Sequence, residues 1–220
     1  MNIVILIVLI VSIGTYIYIN VTYKKYSKKD IAKLMSGFEV AREILDEHDL
    51  NNIYITESRE ELYSTYDYKR KVVKLIKGVF SDTSLTSCAI SAMNAAYAVQ
   101  DKHNSKLFKF KKSIEQFISI LLYIGYLIII IGALFGHINT IWIGFGIELL
   151  ILVFHVATYS VEKEAKNIAL VELLNNKIIT KREVKRIQKL LDVTSYIEIA
   201  SIVFPIAELL KRIYEFGRSD

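Results

Sequence analysis

Histidine and cysteine, the residues that most often bind catalytic metals, are few in this sequence and poorly spaced for that role. The four His are His48, His103, His137 and His155, and Cys88 is the single Cys. Zinc enzymes commonly hold the metal with two His at positions i and i+4 of one helix, and no two His here are three or four residues apart. The spacing therefore predicts no replacement metal site and no Cys-His or Ser-His-Asp nucleophile.

Two acidic residues and one His recur at seven-residue spacing in the second half of the chain. Glu148, His155 and Glu162 would share one face of a helix. An ionised carboxylate in hydrocarbon costs about 2–3 kcal/mol or more, so an acidic residue in an apolar segment indicates a partner or a functional site. Two interpretations stay open: a proton or ion path that includes Glu198, or a protonated Glu148 hydrogen-bonded among the helices.

Long uncharged segments surround these residues. The 220-residue chain is 53% hydrophobic, with a mean hydropathy of +0.34, which is too apolar for an ordinary soluble domain. Residues 3–21, 117–136 and 141–160 are each about twenty residues long, enough to cross a hydrocarbon core of about 30 Å. Residues 196–210 are a fourth candidate, interrupted by Pro205. The sequence predicts a multi-pass protein of the cell membrane, with the lipid bilayer as a partner.

Basic residues indicate how the chain is oriented. Lysines cluster at 24–33, after the first apolar segment, and at 106–112, before the second, whereas residues 137–140 contain no Lys or Arg. The positive-inside rule therefore predicts that the polar portion is cytoplasmic. No basic residue precedes the first segment and no small-residue cleavage site follows it, so it is predicted to be a retained anchor. The net charge of +5 lies mostly beside the spans, where anionic headgroups attract it, and requires no nucleic-acid partner.

The rest of the sequence predicts a small α+β unit and a pair of helices. Ser36 and Glu39 form a capping box that opens one helix, and Asp82 or Thr83 is predicted to cap a second helix over 83–101. Short strands are predicted at 53–56, 62–66 and 72–76. Beyond the third span, amphipathic helices are predicted at 162–174 and 182–191, the latter opened by a capping box at 180–183.

The predicted fold class is an α-helical membrane protein with a small α+β cytoplasmic unit. Its parts are an anchor over 1–21, the α+β unit over 22–116, a two-helix transmembrane hairpin over 117–160, and a cytoplasmic helical pair with a membrane-associated C-terminal helix over 161–220.

Four stretches of the sequence resemble motifs of the YugP-type neutral zinc metallopeptidases, which are integral membrane proteins of bacteria. Residues 36–50, SGFEVAREILDEHDL, resemble S/T-G-x-E-x-A-R-x-I-L-D-x-x-G-L, and residues 66–75, YDYKRKVVKL, resemble H-Y-D-P-R-x-K-x-x-R-L without its His. Residues 160–165, SVEKEA, resemble P-V-E-F-D-A. Residues 88–100, CAISAMNAAYAVQ, lie where the family has V-A-A-H-E-V-G-H-A-I-Q, with Ala98 and Gln100 setting the register. The resemblance implies a zinc-peptidase-like (gluzincin-like) core.

The same resemblance implies that catalytic residues are missing. Met93 and Tyr97 stand where the family has its two His ligands, Asn94 where it has its Glu base, and Thr65 where it has a His before Tyr-Asp. Glu162 matches the third ligand. A thioether, an amide and a phenol do not replace two imidazoles and a general base, so no zinc cofactor is predicted and Glu162 is interpreted as a vestigial ligand.

The resulting hypothesis is a pseudopeptidase that acts as a scaffold or binds a peptide or protein partner, such as an active relative. Met93 and Tyr97, one turn apart, either fill the former metal cavity or help to line an apolar peptide groove. The predicted groove residues are Val72, Val73, Lys74, Leu75, Met93 and Tyr97, because the strand at 72–76 corresponds to one that pairs with substrate in peptidases of this plan. Two alternatives remain: an active zinc peptidase with an atypical or partner-completed metal site, and a component of an ion or proton transporter.

Overall fold

The computed structural model describes residues 3–58, 64–103 and 106–194, and the chain in these ranges is mainly helical. The helices are α1 (Ile3–Tyr26), α2 (Gly37–Glu47), α3 (Lys77–Phe80), α4 (Leu85–Lys102), α5 (Lys106–Leu134) and α6 (Ile138–Asn175). A further helix, α7, is described over residues 184–194. The strands are β1 (Tyr54–Ser58), β2 (Thr65–Asp67) and β3 (Val72–Ile76).

The chain divides into two compact units. The hairpin unit comprises Met1–Tyr18, Lys109–Tyr159 and Ile197–Asp220, and the mixed unit comprises Ile19–Phe108 and Ser160–Tyr196. The mixed unit contains the sheet and α2, α3 and α4, whereas the hairpin unit contains most of α5 and the first part of α6.

The sheet of the mixed unit has the strand order β1-β3-β2. Strand β3 pairs in parallel with β1 and antiparallel with β2. Its apolar residues Val73 and Leu75 are fully buried, as expected for a central strand. Residues 72–76 therefore form the central strand and not an open edge, and the predicted bounds of this strand are confirmed. Strand β1 begins at Tyr54, one residue later than predicted, and β2 begins at Thr65, whereas the predicted start of β2 at residue 62 lies outside the described residues.

Side-chain caps fix where the helices of the mixed unit begin. The capping box of α2 is confirmed: Ser36 Oγ accepts a hydrogen bond from Glu39 N at 3.3 Å, and the Glu39 carboxylate accepts one from Ser36 N at 2.6 Å. The cap of α4 is Ser84, and the prediction of Asp82 or Thr83 is wrong. The side chains of those two residues bind elsewhere, since Asp82 accepts from Ser87 Oγ and Thr83 donates to Asp30.

The predicted capping box at 180–183 is present in part. The Glu183 carboxylate accepts hydrogen bonds from Thr180 N and Oγ1, both at 2.7 Å. The other carboxylate oxygen accepts from Ala32 N at 3.1 Å, which ties the start of α7 to the segment before α2. Helix α7 begins at residue 184, two residues after the predicted start.

Helix α6 is one continuous helix of 38 residues, whereas the sequence predicted a span and a separate amphipathic helix. The part of α6 in the mixed unit presents Val161, Ala165, Ala169 and Leu173, and all four are buried. Their spacing of four residues places one apolar stripe on this part of the helix. That stripe belongs to the core that also contains residues of α2, α4, β3 and α7.

The hairpin unit joins α5 to α6 through a short turn. Gly136 in this turn has a φ of +68°, a conformation that glycine adopts at low cost at a helix C-terminus. Small residues let the two helices approach closely: a Cβ on Gly144 would lie 2.9 Å from the Gly125 carbonyl oxygen, and one on Gly132 would lie 2.9 Å from Ile141 N.

Among the described residues, α5 and α6 are long and apolar enough to cross a membrane, judged by length and composition. The predicted span at 141–160 falls within α6, and the one at 117–136 falls within α5 except for its last two residues. The predicted first span, 3–21, lies within α1, and most of the side chains of this span lie outside the described part of the structure. The fourth candidate, 196–210, lies wholly outside it.

Candidate active site

Helix α4 carries three of the candidate site residues and runs through the middle of the mixed unit. Every residue from Leu85 to Gln100 is buried except Tyr97, which is partly exposed. The helix has apolar or small residues on all sides, the pattern of a helix that is enclosed by other elements. Helices α2 and α3 and strands β2 and β3 all pack against it.

Met93 is a core residue in this arrangement. Its side chain is fully buried and belongs to the main apolar cluster of the mixed unit. A thioether in an apolar environment contributes packing, and it is a soft ligand that suits Cu(I) better than a catalytic Zn²⁺.

Asn94 is satisfied along its own helix. The side chain is 2% exposed, and its Nδ2 donates a hydrogen bond to the Ile90 carbonyl oxygen at 2.9 Å. This bond to the residue one turn earlier holds the amide against the helix backbone. An amide in this position cannot take a proton from water, as the Glu of a metallopeptidase does.

Tyr97 contacts Glu162, the residue that the sequence resemblance matches to the family's third ligand. Its hydroxyl donates a hydrogen bond to a carboxylate oxygen of Glu162, which lies on α6 and is buried. The two residues are 65 positions apart in the chain, so the fold brings together two of the positions that the sequence resemblance had linked.

Gln100 makes a second connection between α4 and α6. Its Nε2 donates to the Val161 carbonyl oxygen at 3.0 Å and to the Glu164 carboxylate at 2.9 Å. In the sequence, Gln100 served only to set the register of the motif, and its role between α4 and α6 was not predicted. A polar residue at the end of an apolar helix was the available signal, because a buried amide requires partners.

Thr65 is the first residue of β2, and its side chain is exposed. The next residue, Tyr66, is buried and donates from its hydroxyl to the Asp101 carboxylate at 2.9 Å. Asp101 also forms a salt bridge with Lys71. Burial, and then the hydrogen bond to Asp101, raise the pKa of the Tyr66 hydroxyl. Asp101 is a polar anchor that sequence reasoning did not identify.

The six predicted groove residues do not form a continuous exposed surface. Val73, Leu75 and Met93 are fully buried, whereas Val72, Lys74 and Tyr97 are partly exposed. Lys74 also lies 3.8 Å from the Asp67 carboxylate. Peptide binding stays a prediction, and among these six residues only Val72, Lys74 and Tyr97 are accessible to a peptide.

The structure brings together two His that the sequence placed on separate elements. His48 and His103 have ring centroids 5.8 Å apart, and His48 Nε2 lies 3.0 Å from a Glu172 carboxylate oxygen. His48 directly follows α2, His103 directly follows α4, and Glu172 lies on α6. Over the described ranges, no three His, Cys, Asp or Glu side chains are arranged as metal ligands.

Glu148 and His155 lie in the hairpin unit. Glu148 is 1% exposed, and neither of its carboxylate oxygens has a hydrogen-bond partner in the described structure. A Cβ on Gly125 of α5 would lie 2.5 Å from Glu148 Oε1, so the carboxyl group packs against the α5 backbone. His155 packs edge-on against Phe154.

Met93, Asn94 and Tyr97, which the sequence resemblance places at the family's motif positions, do not together offer the ligands of a catalytic zinc ion. One is a buried thioether, one is an amide bonded to its own helix, and the third is a phenol that donates to the remaining carboxylate. Catalytic zinc sites use three His, Cys or carboxylate ligands and leave a fourth position to water. Glu162 alone meets that description among these four side chains.

Comparison with known proteins agrees with the resemblance seen in the motifs. A family model described as "Putative neutral zinc metallopeptidase" matches residues 1–216. A protein of Bacillus subtilis (strain 168), named "Putative membrane protease YugP", is 24% identical over 200 residues, which cover 90% of this chain and 89% of the relative. No solved structure matches the chain. The match to the family model includes both α4 and α6.

Proposed function

This chain belongs to the family of neutral zinc metallopeptidases, and we propose that it is a membrane-integral member that does not hydrolyse peptides and acts instead as a scaffold or a partner-binding pseudopeptidase. The hydrogen bond from Tyr97 to Glu162 is the observation that carries the proposal. It uses the carboxylate that matches the family's third ligand to join α4 to α6, in place of a metal ion that would join the same helices.

The surrounding side chains support the same conclusion. Met93 is enclosed in the apolar core and Asn94 is bonded within α4, so neither presents a free donor toward Glu162. The core around α4 is therefore well packed without a metal ion. A gluzincin-like scaffold that has kept its packing and lost its metal chemistry would have this composition.

The proposed location is the cell membrane, with the mixed unit in the cytoplasm. Helices α5 and α6 have the length and apolar composition that a span requires. The relative from Bacillus subtilis carries the name of a membrane protease. The lysines that follow residues 3–21 and precede residues 117–136 support the cytoplasmic orientation.

A peptide partner would bind at the accessible part of the predicted groove. Val72, Lys74 and Tyr97 are partly exposed, and strand addition would have to use the outer edge of β1 or β2 because β3 is paired on both sides. An active member of the same family is the partner that this proposal favours, since it would present the same kind of helices to the bilayer.

Metal content tests the proposal directly. Elemental mass spectrometry of detergent-purified protein should find no stoichiometric zinc in the natural chain. A variant with Met93→His, Asn94→Glu and Tyr97→His should bind about one zinc ion per chain, because it restores two imidazoles beside Glu162. Adding Glu162→Ala to that variant is the matched control and should abolish the binding.

Two results would contradict the proposal. One is zinc near one ion per chain in the natural protein that disappears on Glu162→Ala. The other is chelator-sensitive proteolysis that the same substitution abolishes. Tight metal binding only in a complex with a partner subunit would favour the alternative of a partner-completed peptidase site.

A transport role is the second candidate, favoured by the burial of Glu148. Both of its carboxylate oxygens lack a hydrogen-bond partner among the described residues, and ionisable groups in apolar helices often serve ion or proton movement. Ion flux in liposomes that contain the purified protein, lost in a Glu148→Gln variant and retained in a Glu164→Gln variant, would establish that role. Equal flux in empty liposomes would exclude it.

A further inference from the structure

Five lysines lie within the ten residues from Lys24 to Lys33, at and after the end of α1. All five are exposed. Lys33 lies 3.6 Å from the Glu43 carboxylate, but Lys24, Lys25, Lys28 and Lys29 have no carboxylate partner among the described residues. The segment therefore carries positive charge that the described part of the protein does not neutralise.

Two of these ammonium groups, those of Lys25 and Lys29, lie close to the ring of Tyr26. Lys25 Nζ lies 5.8 Å and Lys29 Nζ 5.9 Å from the centroid of the Tyr26 ring. The ring itself is buried and belongs to the core of the mixed unit, so its position is fixed. Both distances are within the range at which an aromatic face attracts a cation. Both ammonium groups are therefore placed beside one fixed ring, where their positive charge can attract an anion.

The chemistry of the neighbouring residues limits which anion fits. The acidic residue closest in sequence, Asp30, accepts a hydrogen bond from Thr83 Oγ1 at 2.7 Å. The lysines end a continuous helix whose residues 3–21 carry no charge. Tyrosine and lysine side chains directly after an apolar helix of that length lie at the level of lipid headgroups.

We propose that Lys25 and Lys29, positioned by the Tyr26 ring, form a binding site for the phosphate group of anionic phospholipid headgroups. Lys24 and Lys28 extend the same positive surface along the headgroup layer. The inference rests on the proposed membrane location of α1, and it does not depend on whether the protein is a peptidase. Its consequence is that a specific headgroup contact at the end of α1 holds the protein at the bilayer in addition to its membrane helices.

The test is native mass spectrometry of the full-length protein released from detergent micelles with equal amounts of phosphatidylglycerol and phosphatidylcholine. The natural chain should retain phosphatidylglycerol preferentially. The Lys25→Gln/Lys29→Gln variant should lower that preference by roughly tenfold, since each lysine near an anionic surface contributes substantially to binding. Lys25→Arg/Lys29→Arg should keep the preference, because the charge is retained.

The matched control is Lys181→Gln/Lys185→Gln, which removes two exposed charges at the same spacing from the start of α7. It should leave the preference for phosphatidylglycerol unchanged. An equal loss in both double variants would overturn the proposal, because it would indicate a response to net charge alone. Inorganic phosphate added at the concentration of the lipid should not displace phosphatidylglycerol from the protein. If it does displace the lipid, the site binds free phosphate instead of a lipid headgroup.

Extraction of membranes with alkaline carbonate separates this proposal from the membrane assignment on which it rests. A protein that resists extraction but shows no lipid preference would overturn the headgroup site alone. A protein that carbonate releases would overturn the membrane assignment, and with it the site.

Discussion

The hydrogen bond between Tyr97 and Glu162 joins two residues that the sequence had already indicated as candidate site residues. Each was identified from a motif, but no motif indicated that the phenol would donate to the carboxylate. A pattern of residues reports which positions correspond to a family's ligands. The side chain that replaces a ligand finds its partner only in the packed structure, because burial leaves its hydroxyl few alternatives.

We expect Tyr97→Phe to destabilise the protein by about 1–3 kcal/mol, because the buried Glu162 carboxylate would lose a donor while the ring would still fill its space. Denaturant unfolding in detergent, followed by circular dichroism, measures the effect. Tyr54→Phe is the control, since Tyr54 is 72% exposed and its substitution should change stability by less than about 0.5 kcal/mol. Equal stability of the two variants would show that the Tyr97 hydroxyl contributes nothing.

The elements show which parts of the fold local sequence determines. The Ser36 capping box, the bounds of β3 and the helices around residues 117–136 and 141–160 were all predicted, because each depends on a few neighbouring residues. The position of β3 between β1 and β2 was not predicted, since strand order depends on contacts between distant segments. The continuity of α6 was not predicted either. The composition of this helix changes from apolar to polar near residue 160, but the helical backbone continues through that point.

The approach of α2 to α3 and α4 depends on Gly37. A Cβ at this position would lie 2.1 Å from the Val79 carbonyl oxygen and 2.6 Å from Ser91 Oγ. Gly37→Ala should therefore destabilise the protein by about 1–3 kcal/mol through overpacking. Gly78→Ala is the control, because a Cβ there meets nothing within 4 Å. Thermal unfolding of both variants checks the prediction, and a destabilisation no larger than that of the control would contradict it.

The capping box of α2 predicts a dependence of stability on pH. Hydrogen bonds from the Ser36 backbone, and then from its hydroxyl, lower the pKa of Glu39 from its usual value of 4.5. A carboxyl whose pKa is lower in the folded state stabilises that state above its unfolded pKa, and the contribution disappears as the pH falls through the folded value. Glu39→Gln should thus be less stable than the natural protein at pH 7, with the difference shrinking below pH 4.5.

Urea unfolding of the two proteins across this pH range measures the change. Glu47→Gln, in the last turn of α2 and exposed, is the matched control and should give a difference that does not vary with pH. A pH-independent difference for Glu39→Gln would mean that the ionised capping box does not contribute to stability.

At the scale of the whole molecule, Cys88 reports the opening of the mixed unit. It is the single Cys and is buried in α4, and burial, with a smaller effect of Glu183, raises the pKa of its thiol. Because the thiolate is the reactive form, the native protein should react with maleimide only as fast as the unit unfolds. Mass spectrometry of labelled protein at increasing urea measures this rate.

A Cys88→Ser/Ser27→Cys variant is the control, since it moves the thiol to an exposed position and should label at once without denaturant. Equally fast labelling of the natural protein would show that α4 is accessible in the native state.

The mixed unit is assembled from two stretches of chain, Ile19–Phe108 and Ser160–Tyr196, and the hairpin lies between them in the sequence. During synthesis the ribosome releases α4 long before it releases the α6 residues that complete the core around it. The apolar surface of the first stretch therefore stays exposed until the hairpin and the rest of α6 have been synthesised. Intermediates with exposed apolar surface are prone to aggregate and to bind chaperones. In a membrane-inserted chain, insertion of the hairpin would come before the core is complete. A chain that fails to insert would then be left with an incomplete core, and cellular quality control would act on it first.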